Sequence, residues 1–292
     1  MEVKSAQKGA FIMGQNFTYK VDNCNLTVEN IHCLRLDYAL DCGQSFRWEK
    51  NNGHWQAVVG SHFGDLEEII NKDGTINITF YNCTKEEFES FWIHYLNLDK
   101  DYDEILSCYK KDKYLSKAID EFYGIRILNQ DPWEALCSFI ISQNNNIPRI
   151  KGIISRLCEA YGEKLPNGQY SFPSAETIAK LEPEDLAPLR AGFRNKYIID
   201  AARKVADGTV DLDKIKKLPL DEAEAELLKI KGVGPKVAQC ALLYGLGQVD
   251  AFPIDVWVKK IMADLYPKGL PNCTKGTRGI AQQYLFHWYR NK

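Results

Sequence analysis

The sequence predicts an α+β protein: a small antiparallel β-sheet domain toward the N-terminus, packed on a mostly helical region that contains a helix-hairpin-helix. Three observations carry this expectation. Between about residues 33 and 83, apolar residues alternate with period two around turn pairs such as Asn52-Gly53 and Asp73-Gly74. From Asp103 onward almost every segment carries helical periodicity. Finally, Gly232-Val233-Gly234 sits between two helix-like segments as a tight connection. The 292 residues leave room for roughly two domains of about 150 residues each. The expected division is a β-rich unit with flanking helices over 1–125 and a helical region over 126–292, with the hairpin at about 221–246. The C-terminal helix is expected to pack back near the N-terminal unit.

In chain order, 43–48 leads through Asn51-Asn52-Gly53 into the strand-like His54–Val59, and Asp73-Gly74 precedes the alternating 75–80. Thr84-x-x-Glu87 reads as a capping box, opening a helix with Phe88, Phe91, Trp92 and Tyr95 on one face. Asp131-Pro132 is a helix start, with Asp as N-cap and Pro at the first helical position. The helix it opens, 133–142, is mostly apolar and belongs in the middle of its domain. Asn144-Asn145-Asn146 interrupts it, and Ile147–Tyr161 resumes helically and ends at Gly162. Further helices are expected at about 175–181, 184–190, 195–206, 221–230, 236–246 and 256–265. Asp221-x-x-Glu224 is read as capping the first helix of the hairpin.

Composition removes several classes of function. Hydrophobic residues at 45% and charged residues at 26% are globular values, which excludes a disordered or low-complexity chain. No apolar run approaches the roughly 20 residues of a membrane span, and the opening residues lack the apolar core of a secretion signal. Nine scattered cysteines without a CxxC pair fit a reducing interior and leave no cluster for zinc or iron–sulfur. With a net charge of −2 and a pI of about 6.2, the overall field does not attract a polyanion, so any basic face has to be local. The stretch 190–204 offers one, carrying Arg190, Arg194, Lys196, Arg203 and Lys204 against Asp200 alone. A solvated helix face is the ordinary reading of such a run.

The most informative stretch is 221–265. Glycines at 232 and 234 let the backbone turn sharply and approach a phosphate, while the amides opening the second helix point outward to an anion. Such a device binds nucleic acid without reading sequence; alone, it is also a plain helix connector. Lys236 lies in the first helical turn, where the macrodipole opposes its protonation. If it is also desolvated, its amine can attack carbon at neutral pH. Position alone favours a solvated lysine or a phosphate contact. Asp255 reads as the N-cap of the helix at 256–265, which is sufficient reason for an aspartate. A carboxylate held by helix amides also suits a developing positive charge.

Gly-Val-Gly-x-Lys, an apolar helix and then Pro253-Ile254-Asp255-Val256 resemble the helix-hairpin-helix DNA glycosylase superfamily. Within it, the lysine marks members that combine base excision with strand cleavage. Four further blocks narrow the resemblance to the eukaryotic-type 8-oxoguanine DNA glycosylases: Leu34-Arg35-Leu36-Asp37 into Cys42-Gly43-Gln44-Ser45-Phe46-Arg47-Trp48; Gln130-Asp131-Pro132 with Ser138-Phe139-Ile140; Asn144 to Ile150; and Gly279 to Phe286. The blocks run in family order from about residue 33 to 290.

The resemblance implies an enzyme that everts the damaged nucleotide into a pocket. Lys236 would attack the sugar carbon, forming an imine from which the 3′ phosphate is eliminated, and Asp255 would stabilise the positive charge on the sugar. The Gly43 carbonyl would accept from the N7–H that distinguishes 8-oxoguanine, although without the family a turn glycine is as good a reading. Gln282 would meet the Watson–Crick edge, and Cys240 and Phe286 would sandwich the ring; by itself Phe286 reads as a core aromatic. Asn144, Arg149 and Arg194 fall on positions that hold the orphaned cytosine, Phe193 on the wedge, and Gly232, Gly234 and Trp257 on DNA-backbone positions. Phe193 replaces a tyrosine. Trp257 replaces a histidine near the 5′ phosphate and so carries no charge there.

The expected partner is duplex DNA containing oxidised guanine, met by a monomer with no cofactor, no metal and no membrane. A bacterial cytoplasm is the expected location, with the nucleus as alternative. A competing function is a non-catalytic helix-hairpin-helix DNA-binding module. Alkyl-purine members generally lack the lysine, and adenine-removing members usually carry a four-cysteine cluster after the hairpin, where only Cys273 lies.

Overall fold

The structure, a computed structural model, describes residues 18–291; the opening segment read for a secretion signal lies outside the described residues. Six strands, β1 (Thr18–Asp22), β2 (Asn25–Ile31), β3 (Glu49–Asn51), β4 (His54–Val59), β5 (His62–Ile70) and β6 (Ile76–Phe80), form one antiparallel sheet in the order β1-β2-β6-β5-β4-β3. Asn52 and Gly53 form the two-residue β3–β4 loop, both at positive φ (50° and 89°), as a tight right-twisting hairpin requires. Strands β1 and β2 precede the stretch read as sheet. Their hairpin turns at Asn23 (φ 55°) and Cys24, and Leu26 and Val28 in β2 are completely buried. Residues 43–48, read as strand-like, instead form a bent loop between α1 (Leu36–Leu40) and β3.

Helices α2 (Lys85–Glu87) and α3 (Ile93–Tyr95) flank a π turn at Phe88–Trp92. Thr84 Oγ1 accepts from the Glu87 amide at 3.1 Å, but the Glu87 carboxylate does not complete the box. It is held by His62 Nδ1 (2.9 Å) and Trp92 Nε1 (3.1 Å). The widened turn buries Phe88, Trp92 and Tyr95 and leaves Phe91 half-exposed, stacked on His62. The helical region follows as α4 (Tyr102–Tyr109), α5 (Lys113–Phe122), α6 (Pro132–Ser142), α7 (Ile147–Tyr161), α8 (Ala175–Ala179), α9 (Asn195–Ala206), α10 (Leu212–Ile215), α11 (Leu220–Leu227), α12 (Pro235–Tyr244), α13 (Val256–Leu265) and α14 (Arg278–Arg290). The helix expected at 184–190 shrinks to a 3-10 turn at Ala187–Leu189, because Pro188 has no N–H with which to propagate an α-helix.

Two apolar cores result. One lies between the sheet and the π turn, around Trp48, Leu66, Phe80 and Trp92; the other is helical and centred on α6, eight of whose eleven residues are buried. Asp131 caps α6 by accepting from the Glu134 amide at 2.8 Å. Helix α12 crosses α6 closely enough that a Cβ on Gly245 would stand 2.7 Å from that of Ala135. Arg126 fastens the passage between the cores. It is completely buried and donates to the carbonyls of His32, Cys33, Asn97 and Lys100.

Burial pushes the Glu134 carboxyl up to about 7, against the opposing pull of the Arg47 guanidinium 3.8 Å away. The native state therefore holds a proton that the unfolded chain releases near 4.5. The sign follows directly: the contribution is present below the unfolded value and is lost as pH rises toward 7. Denaturant titrations from about pH 5 to 8 should lose on the order of 1–3 kcal/mol through this group. Glu134→Gln should flatten that slope; an unchanged slope in the variant would rule out Glu134 as its source.

Candidate active site

Helices α11 and α12 and the turn between them form the expected hairpin. Asp221 is not its cap: α11 starts after Pro219 with no side-chain cap and ends at Leu227, so Asp221 lies inside the first turn. Glu224 is occupied elsewhere, its Oε2 accepting from Gln239 Nε2 at 2.7 Å. Gly232 is required twice over. Its φ is +80°, and a Cβ would enter the Tyr197 ring at 2.4 Å. Gly234 is not required by its own surroundings: φ is −103°, and a Cβ would meet nothing within 4 Å. A bare backbone facing open space at the N-terminus of α12 leaves room for a group from outside to approach.

Lys236 follows at the second position of α12, half-buried, with no hydrogen-bond or ion-pair partner among the described residues. Cys240 lies one turn further on the same face. Asp255 is brought to them by Gln239, whose Oε1 accepts from the Phe252 amide at 2.8 Å and so ties the approach to α13 against the hairpin. Asp255 then caps α13, accepting from the amides of Trp257 (2.9 Å) and Val258 (2.8 Å).

Lys236, Cys240 and Asp255 line one cavity of about 570 Å³ together with Gly43, Phe139, Pro253, Trp257, Gln282, Phe286 and Arg290. That volume lies within the range of small-molecule sites. Burial pushes the Cys240 thiol up to about 12, even though neighbouring Lys236 pulls it down. Cys240 therefore stands in the cavity wall as a neutral thiol. Gln282 donates to the Pro253 carbonyl at 2.6 Å while its Oε1 is buried with no partner, an acceptor held ready for a ligand's N–H. Gly43, at φ +86° with open space where a Cβ would stand, is pinned on both sides. Gln283 donates to the Cys42 carbonyl (3.4 Å) and accepts from Tyr244 (2.8 Å). Gln44, completely buried, donates to the carbonyls of Ala39 and Arg126 and accepts from the Leu128 amide.

Asn144, Arg149, Phe193 and Arg194 gather outside this cavity. Asn144 is exposed in a left-handed conformation (φ 47°), and Phe193 is 48% exposed. Arg149 is exposed and donates to the Arg190 carbonyl. Arg194 is only 2% exposed and donates to the carbonyls of Gln143, Asn144 and Ala191. In this state it fastens the Asn144 turn and is not presented to solvent. The basic stretch 190–204 is likewise partly neutralised, since Arg203 pairs with Glu182 (2.8 Å) and Lys204 with Asp200 (2.9 Å). Phe193 rests edge-on against Tyr197, the ring that fills the space beside Gly232, so the exposed Phe193 and the hairpin are mechanically continuous.

Sequence reading missed the residues that hold others in place: Gln44, Gln239, Tyr244, Pro253 and Gln283. For Gln239 and Gln283 the available signal was an amide side chain inside an apolar helical run; a buried amide needs partners.

Comparison with known proteins follows the same outline. The 8-oxoguanine DNA glycosylase N-terminal domain matches residues 25–136, and the HhH-GPD superfamily base excision DNA repair protein family matches 137–272. The 8-oxoguanine glycosylase/lyase of Clostridium acetobutylicum, solved with double-stranded DNA containing cytosine opposite 8-oxoguanine, is similar over 94% of this chain and 97% of its own, at 36% identity and a TM-score of 0.85. The N-glycosylase/DNA lyase of Saccharomyces cerevisiae is 33% identical over 254 residues, which is 78% of this chain and 67% of its own. A DNA-3-methyladenine glycosylase of Bacillus subtilis is 34% identical over 176 residues, 59% of this chain and 58% of its own. The chain spans about two thirds of the length of the curated N-glycosylase/DNA lyases it matches. With both halves matched in order and a solved relative covered almost end to end, the chain belongs to the 8-oxoguanine DNA glycosylase family of the HhH-GPD superfamily.

Proposed function

We infer that the protein is a bifunctional DNA glycosylase and lyase that removes 8-oxoguanine opposite cytosine and nicks the strand. The observation that carries this is the meeting of Lys236 and Asp255 on the wall of one cavity of about 570 Å³. The hairpin amides hold the DNA backbone, and an everted nucleoside places its sugar at Lys236 and its base between Cys240 and Phe286. The Lys236 amine attacks C1′ as the glycosidic bond breaks, with Asp255 facing the positive charge that spreads over the sugar. The base leaves with the bonding electrons and takes up one proton from the amine. The C1′–O4′ bond then breaks, O4′ takes the second proton and the imine with Lys236 forms, and loss of the C2′ proton to solvent expels the 3′ phosphate. The unpartnered Gln282 Oε1 suits the N–H groups of a guanine edge, and the Gly43 carbonyl suits the N7–H that guanine lacks. One such bond in a dry site separates the two bases by about 1–3 kcal/mol. Asn144 and Arg149 stand exposed where the orphaned cytosine would lie, and Arg194 joins them by exchanging loop carbonyls for the base.

A panel of lesion duplexes treated with borohydride tests the reading. 8-Oxoguanine opposite cytosine should give base release, a nick and a covalent adduct, with excision at least about tenfold slower opposite adenine. The similarity to a 3-methyladenine glycosylase gives the contrary outcome its form. Release of an alkylated purine in preference to 8-oxoguanine, with no adduct, would overturn the assignment.

A further inference from the structure

Helix α14 carries a graded stripe toward the cavity: Gln282 buried, Phe286 half-buried and Arg290 exposed, each four residues and about 6 Å along the axis from the last. Arg290 ends the stripe at the cavity mouth. Its guanidinium lies 5.1 Å from the Phe286 ring centre and 5.8 Å from that of Trp257. Lys260 approaches the same indole at 5.4 Å, so the mouth carries two cations on one aromatic support. Among the described residues Arg290 has no carboxylate partner and no hydrogen bond. A planar cation held by two rings, with its donors free, is preorganised for a bidentate anion.

We propose that Arg290, braced by Phe286 and Trp257, is a positioning residue that clamps a phosphodiester flanking the everted nucleoside. This rests on the glycosylase reading, which puts the sugar at Lys236 and the base against Phe286. A nucleoside so placed must leave its own phosphates at the mouth, where Trp257 offers an N–H but no charge. Arg290 supplies that charge. Because its support is the ring that stacks on the base, seating the base and gripping the backbone are mechanically coupled.

The test compares Lys236→Gln with Lys236→Gln/Arg290→Gln in the full chain, so that binding is read without turnover. On an 8-oxoguanine duplex at about 0.1 M salt the second substitution should raise Kd roughly tenfold and lower the salt-dependence slope by about 1. Arg290→Lys should keep the slope. Repeating the pair on duplexes with a neutral methylphosphonate at the 5′ or the 3′ flank should abolish the Arg290 effect on one of them. An effect that persists on both, or no change in Kd and slope, overturns the clamp. The wild-type protein is run alongside with borohydride on the unmodified duplex. Failure to form an adduct there would overturn the glycosylase reading itself, whereas an adduct with an indifferent Arg290 overturns only the clamp.

Discussion

Lys236→Gln should abolish the borohydride adduct and strand cleavage and slow base release by on the order of 10³-fold or more, with little effect on folding. The side chain makes no contact that the fold depends on: it is half-buried, without a hydrogen-bond or ion-pair partner among the described residues, at a helical position where glutamine is equally at home. Glutamine, one atom shorter, keeps a polar end but has no nucleophilic nitrogen. Cys240, the other nucleophile-type side chain on the wall, is disfavoured because burial pushes its thiol up to about 12. The variant should still bind the lesion duplex, since the hairpin amides and the Gln282 acceptor are untouched. Denaturation midpoints and binding by fluorescence anisotropy establish that the loss is chemical. A trapped adduct persisting in Lys236→Gln would move the nucleophile elsewhere and dismantle the proposed site.

Where local chemistry decides structure, the sequence was legible. Asp131-Pro132 and Asp255 announce helices with their caps, and α7, α9 and α13 start and stop at the residues their patterns indicate. Lys236, Cys240 and Asp255 line one cavity as the family resemblance implied, not as their local spacing alone would have said. What failed needed partners distant in sequence. Strands β1 and β2 look unremarkable until β6 pairs with β2. Glu87 looks like half of a capping box until His62 and Trp92 take its carboxylate. Arg126, alone between Ile125 and Ile127, gives no sign that carbonyls at positions 32, 33, 97 and 100 will converge on it. Arg194 misled in the opposite direction: an arginine in a basic run reads as presented to solvent, yet the Asn144 turn buries it.

Asp255 has two roles that one substitution cannot separate but a pair can. As N-cap it satisfies two orphan amides of α13; as a charge it lines the same cavity as Lys236. Asparagine caps a helix as well as aspartate does, through the same oxygen, so Asp255→Asn should keep stability within a few tenths of a kcal/mol. It removes the negative charge, and base release should fall about 10²–10³-fold. Alanine removes both roles, so Asp255→Ala should show a similar loss of activity plus about 1 kcal/mol of destabilisation. Elimination from a preformed abasic site begins after the charged sugar transition state, so Asp255→Asn should slow it far less than it slows excision. If Asp255→Asn excises at the wild-type rate, the carboxylate is a cap and nothing more, and the charge stabilising the sugar must come from another group on the cavity wall.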